Sequence, residues 1–269
     1  MVKKTPVTKL KKAQKKSTSK KDKGGDSRCT PKYFRAAYDS LCRDKMKLVK
    51  EMCLGAFKNL PTYSINHKLL IELVRSYDLF NNTISTGVGQ FLITTEKIRY
   101  AFGLNSTGDA FEDKKEDVED ELNDEEKEAY KLFKGKRLKF IEDILKTCKV
   151  KTEREKRMFK RAFDLFIQKS FLCPASSANI SPKHLPVIRD IENTHNRNWA
   201  HHVNTFLVNG IMEFKEKQRK AVKGFHFVLM IIYFKERFFG KELNNPKAKP
   251  PWISYWNGEN LRGKNQIRS

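Results

Sequence analysis

Between Lys223 and Lys235 lies the longest apolar stretch of the sequence, Phe225 to Phe234, broken only by His226. It is about half of the roughly 20 residues that a membrane span needs, and lysines bracket it closely. A helix that is apolar all round must be covered on every side by other elements. The stretch therefore predicts a buried core helix, from about Val222 to Phe238, inside a larger globule and no membrane association. With 269 residues and 19 phenylalanines the chain has enough apolar surface to build that globule without a disulfide or metal staple.

Charge divides the sequence into three zones. Residues 1–28 carry eleven Lys/Arg against two Asp and almost no large apolar side chain, which reads as a disordered basic arm. Residues 109–128 carry twelve acids against three lysines. The rest is basic, so that the whole chain reaches a formal +23. The acidic stretch is placed to shield part of that basic surface from within. Five cysteines at 29, 42, 53, 148 and 173 show no close pairing, which points to a reducing compartment. The first residues have no apolar run of signal-peptide length, so an intracellular protein is expected and the sequons at Asn81, Asn105 and Asn179 are expected to be idle.

Periodicity predicts helices along most of the chain. Thr30-Pro31 is a helix start, and Phe34, Tyr38, Leu41, Leu48, Met52 and Cys53 form one apolar face of a helix closed by Gly55 and Pro61. Asn66 caps a second helix, which ends before a turn region at Asp78 to Asn82. Thr83 to Thr86 and Gln90 to Thr94 flank Gly87-Val88-Gly89 and predict a short hairpin; Thr95 opens the helix that Gly103 ends. An acidic loop at about 105–128 follows, with helix resuming near Asn123. Leu138, Ile141, Ile144 and Leu145 mark one amphipathic helix, and the Thr152/Glu155 capping box starts another through Phe171, which Pro174 breaks. In that helix Phe159, Phe163, Phe166 and Ile167 share one face, with Arg154, Arg157 and Arg161 on the other. A short helix is expected from Ser181-Pro182 and a longer one from about Arg197 to Arg219, with Trp199, Val203, Phe206, Leu207 and Ile211 inward. Pro-Pro-Trp-Ile-Ser-Tyr-Trp at 250–256 is expected to pack as an extended strap. The fold class is mainly α: a single helical domain over 29–269 with a small β-hairpin, preceded by the disordered arm 1–28.

Motifs for chemistry fail one by one. Gly103 to Gly108 has phosphate-loop spacing, but Asp109 and Ala110 stand where a lysine and a hydroxyl are needed. Gly87-Val88-Gly89 lacks the third glycine and the βαβ context of a dinucleotide site. His195, His201 and His202, with Cys173 or His184, are metal-ligand types, but adjacent histidines on a helix point about 100 degrees apart. Cys173 with His184 has no local signature of a nucleophile and its base. No catalytic residue, cofactor or metal site is expected.

What remains is binding. Lys11, Lys12, Lys15, Lys16, Lys20 and Lys21 suit nuclear import or nonspecific phosphate contact, or simply a solubilising tail. A nucleic-acid face on the core is the second option, using Arg154, Arg157, Arg161, Lys215, Lys220 and Lys223. Arg197 and Trp199, in Asn-Arg-Asn-Trp, are candidate interaction residues as well as a plain helix start.

The strings NHKLLIELVRSYD, TGVGQFLITTEKIRYAFGLNSTGDAF, MFKRAFDLFIQKSFLCPASSANISPKHLPVIRDIENTHNRNWAHHVNTFLVNGI and PPWISYW resemble the plant mobile domain over about residues 32–257. Proteins with that domain are labelled aminotransferase-like, or carry it ahead of a ubiquitin-like-protease domain in Mutator-type transposons. The resemblance implies a helical nuclear domain of transposon origin, without an activity. No protease domain follows within the 269 residues and no lysine has a recognisable pyridoxal phosphate setting, so neither desumoylation nor transamination is expected. The expected function is a non-catalytic nuclear binding or scaffold protein, with unknown nuclear proteins as partners and nucleic acid through the arm.

Overall fold

The structure is a computed structural model that describes residues 31–60, 66–111, 122–174, 179–180, 182–217, 226–240 and 249–256. The arm, with its six lysines, lies outside the described residues, as do residues 112–121 of the acidic segment and Lys220 and Lys223.

The first expected helix is two, α1 (Pro31–Asp39) and α2 (Arg43–Glu51). Ser40 donates its hydroxyl to the Ala37 carbonyl, and Leu41 N–H bonds Tyr38 O, so the turn tightens and the chain restarts at Cys42. Phe34, Tyr38, Leu41 and Leu48 are all buried, so the apolar face survives the break. After a 3-10 turn at Gly55–Asn59 comes α3 (His67–Arg75), capped by Asn66, whose side chain accepts from Leu69 N.

The expected hairpin is present as β2 (Thr83–Thr86) and β3 (Gly89–Leu92), with Thr86 opposite Gly89. A third strand, β1 (Tyr77–Asp78), pairs with β2 through Tyr77↔Ile84, giving an antiparallel sheet of order β1-β2-β3. Two residues are too few to show the period of a strand, which is why Tyr77 reads as the end of the preceding helix and Asp78 as turn. Thr94 caps α4 (Thr95–Phe102), and Gly103 ends it in the left-handed region at φ 68°.

Helix resumes where expected: Asn123 and Glu126 form a capping box for α5 (Asp124–Phe133), so the last residues of the acidic segment are helical. The amphipathic α6 (Leu138–Thr147) follows, then α7 (Glu153–Ile167), headed by the Thr152/Glu155 box. Beyond Ile167 the helix widens into a π turn, Gln168–Leu172. Two 3-10 segments, Pro182–Ile188 and Ile191–Asn196, lead to α8 (Trp199–Glu216). This helix starts two residues later than expected because Asn198 is the cap, accepting from His201 N, while Arg197 is extended. The apolar run forms α9 (Phe227–Phe239), and residues 227 to 234 are all buried, as its composition demands. The strap at 250–256 is not wholly extended: Trp252–Ser254 is a 3-10 turn, which lets Trp252, Ile253 and Trp256 all face inward.

The phenylalanines carry the centre. Phe34, Phe57 and Phe102 meet in sequence at 6.0 and 5.7 Å, Phe171 stands 5.8 Å from Phe34, and Phe227 6.0 Å from Phe102. Those rings tie α1, the 55–59 turn, α4, the π turn and α9 into one core. No described helix is long and apolar enough to cross a membrane.

Candidate functional site

The acidic first turn of α5 lies against the arginines of α7. Arg154 bonds Glu128 at 2.5 Å, and Arg157 Nε reaches both Glu125 carboxylate oxygens at 3.0 Å. Arg161 donates to Glu125 at 2.6 Å and to the Ile188 carbonyl at 3.0 Å, and its side chain is only 3% exposed. Bonds from Arg157 and Arg161 hold the Glu125 carboxyl below its usual range despite partial burial. Glu126 reaches onward to the Asp190 N–H at 2.9 Å, so one turn of α5 fastens both α7 and the 3-10 segments. Of the expected basic face, Arg161 is buried in an ion pair with Glu125, Arg157 is partly exposed beside the same carboxylate, and Arg154 faces solvent, paired with an exposed Glu128. Periodicity placed these residues opposite the phenylalanines, and α5 covers that side of α7 at Arg161 while leaving Arg154 in solvent.

Lys215 is exposed, and its ammonium donates to the carbonyls of Arg75 and Tyr77 at the end of α3. Lys45 does the same for α6, donating to Leu145 O at 2.6 Å and Lys146 O at 3.0 Å.

Arg197 and Trp199 are brought together, but inside: Trp199 is 1% exposed and Arg197 8%. The guanidinium lies over the Phe111 ring, 5.3 Å from its centroid, and donates to the carbonyls of Pro186 and Arg189. Phe111 packs on Trp199 at 4.7 Å and on His202 at 4.1 Å, and His202 Nε2 stands 2.9 Å from Gln168 Nε2 at the head of the π turn. One turn back on α7, Asp164 is fully buried, and burial pushes its carboxyl up to about 7 against the opposing pull of Arg197. Burial in turn lowers the Arg197 pKa, which Asp164, Asp190, Glu126 and Asp109 oppose. Asp164 Oδ1, Gln168 Oε1 and Trp199 Nε1 have no hydrogen-bond partner among the described residues. A buried acid one turn before the π turn, close to the Arg197 guanidinium that Phe111 covers, is the most chemically distinctive place among the described residues. Its one sequence signal is Asp164 itself, a lone carboxylate in Phe-Asp-Leu-Phe.

Elsewhere the chemistry is sparse. Burial pushes the Cys173 thiol up, away from the thiolate a nucleophile requires. Among the described residues no group of three or more His, Cys, Asp or Glu is placed to hold a metal ion.

Taken together, these features define a mainly helical domain with a small antiparallel sheet, whose charged core is organised around α7. Residues 27–230 match the model of the family described as Domain of unknown function (DUF8566), and the chain belongs to that family. No curated protein and no solved structure matches it.

Proposed function

We propose that the chain is a non-catalytic nuclear binding or scaffold protein of mobile-element origin, the reading implied by its resemblance to the plant mobile domain. The observation that carries the binding part is the pairing of Arg157 and Arg161 with Glu125: the cations best suited to phosphate are neutralised within the fold. Attraction for polyanions then falls to the arm lysines Lys11, Lys12, Lys15, Lys16, Lys20 and Lys21, which serve import or nonspecific contact. Protein partners engage the folded core. A second reading, nucleic-acid binding by the core, is favoured by the exposed turn between α5 and α6, where Lys136 and Arg137 both face solvent.

A salt series of DNA and RNA binding separates the two. With the six arm lysines replaced by glutamine in the full chain, binding and nuclear accumulation are both lost on the first reading. Retention of tight binding, together with loss in a Lys136→Gln/Arg137→Gln variant, would establish the second instead.

A further inference from the structure

Thr194 Oγ1 stands 3.1 Å from the Ile191 carbonyl oxygen and 3.2 Å from Asp164 Oδ2. A hydroxyl has one hydrogen, so beside an ionised carboxylate it can satisfy only one of these two acceptors. A proton on Asp164 resolves the conflict: the acid donates to Thr194 Oγ1, and Thr194 donates to Ile191 O. The remaining charged groups do not replace it. Arg197 directs its guanidinium to the carbonyls of Pro186 and Arg189, and Lys160, on the same helix as Asp164, is bonded to Glu192 at 3.2 Å. Asp109, Glu126 and Asp190 act on Arg197 rather than on the buried acid. Three histidines, whose ordinary pKa lies near neutrality, stand on the elements around it: His202, joined to Gln168; His195, within the turn itself with its ring nitrogen 3.2 Å from Glu192 O; and buried His184 on the 3-10 segment against α7.

We propose that Asp164 is a proton-operated catch: as the acid it pins the turn Ile191–Asn196 to α7 through Thr194, and its ionisation releases that turn. The consequence travels along the backbone. Asp109 N–H bonds Asn196 O at 3.0 Å and Asn198 N–H bonds Asp109 O at 2.8 Å, so freeing the turn loosens the 105–111 segment and the start of α8. Burial supports the window: the carboxyl's folded pKa is about 7 against an ordinary 3.8, so the folded state keeps a proton that the unfolded chain has lost. The catch contributes fully below the lower value and is lost as pH rises through the upper one.

The test is amide hydrogen exchange of the full chain from about pH 5.5 to 8.5, expressed as protection factors for residues 191–198. Protection should fall by up to about tenfold per pH unit as pH rises towards 7, the limit for one proton, and level off above it. Asp164→Asn, whose amide can still donate to Thr194, should hold high, pH-independent protection, and His195→Gln and His202→Gln should each behave as the wild type. A flat wild-type profile, a pH dependence that persists in Asp164→Asn, or one that disappears in His195→Gln or His202→Gln would overturn the proposal. Should Asp164→Asn not fold, the carboxyl carbon of Asp164 in the wild type decides: titration near 7 supports the catch, and titration below about 5 refutes it.

Discussion

Gly108 lies so close to Asn196 that a Cβ built on it would stand 1.8 Å from the Asn196 carbonyl oxygen. The approach is set by two bonds beside it, Asp109 N–H to Asn196 O and Asn198 N–H to Asp109 O, which make Asp109 and Arg197 a one-residue parallel bridge. Backbone oxygen cannot swing aside as a side chain can. Gly108 also has φ +89°, where an L residue is strained. Gly108→Ala should therefore destabilise the fold by about 3 kcal/mol, combining overpacking with backbone strain. Denaturant unfolding measures it; a midpoint shift equivalent to under about 0.5 kcal/mol would show that the bridge yields freely.

Glu125 supplies the carboxylate shared by Arg157 and Arg161, and the arginine at 161 is buried. Removing the carboxylate leaves that guanidinium with the Ile188 carbonyl. Loss of one partner of a buried pair costs about 3–5 kcal/mol. Glu125 is itself 25% exposed, so Glu125→Ala should lose about 2 kcal/mol. The pH signature is opposite to that of Asp164. Bonds from Arg157 and Arg161 depress the folded pKa of Glu125 below its ordinary 4.5. Its contribution is complete above that value and lost as pH falls through the folded pKa. Wild type and variant should thus converge in stability under acid, measured by chemical unfolding at several pH values.

Lys45 and Lys47 sit two residues apart on α2 and should respond very differently to the same change. Lys45 is 6% exposed and donates to two carbonyls at the end of α6, with its ammonium 5.9 Å from the Phe159 ring centroid. Lys47 is 68% exposed and 3.9 Å from an equally exposed Asp44. Lys45→Met keeps the aliphatic packing but orphans both carbonyls, for an expected loss of about 1.5 kcal/mol. Lys47→Met should stay within about 0.5 kcal/mol of wild type. Equal midpoints for the two variants in thermal unfolding would remove the capping role.

Local signals carried the helix starts into the structure almost unchanged, because Asn66, Asn123 and Thr152 each bond an amide only three residues away; at α4 the cap is Thr94, one residue before the Thr95 that the sequence pointed to. The Ser40–Cys42 break was hidden because the apolar period runs through it, and the π turn because Gln168 to Leu172 keep the residue types of an ordinary helix. The charged core was the least legible part. Arg161 meets Glu125, 36 residues earlier, and Ile188, 27 residues later, and no period encodes a partner at such distances. Arg197 and Trp199 were visible as a distinctive pair, yet an exposed contact and a buried node need the same residue types.

Trp256 bears on where the folded unit ends. The family match stops at residue 230, inside α9, yet Trp256 is 1% exposed and its indole is 5.4 Å from Phe234, 5.7 Å from Phe238 and 5.4 Å from Phe239. Tyr255 closes the group at 4.9 Å. These rings cover the later turns of α9 that the apolar run alone would leave bare. Trp256→Ala should lower stability by about 3–5 kcal/mol and preserve a single cooperative transition, since the strap and α9 unfold together. The indole Nε1 has no hydrogen-bond partner among the described residues, so Trp256→Phe should cost only packing volume and fall well short of the alanine loss. Calorimetry distinguishes the alternatives: a separate early transition in Trp256→Ala would mean that the residues beyond the matched span fold as an appendage rather than as part of the core.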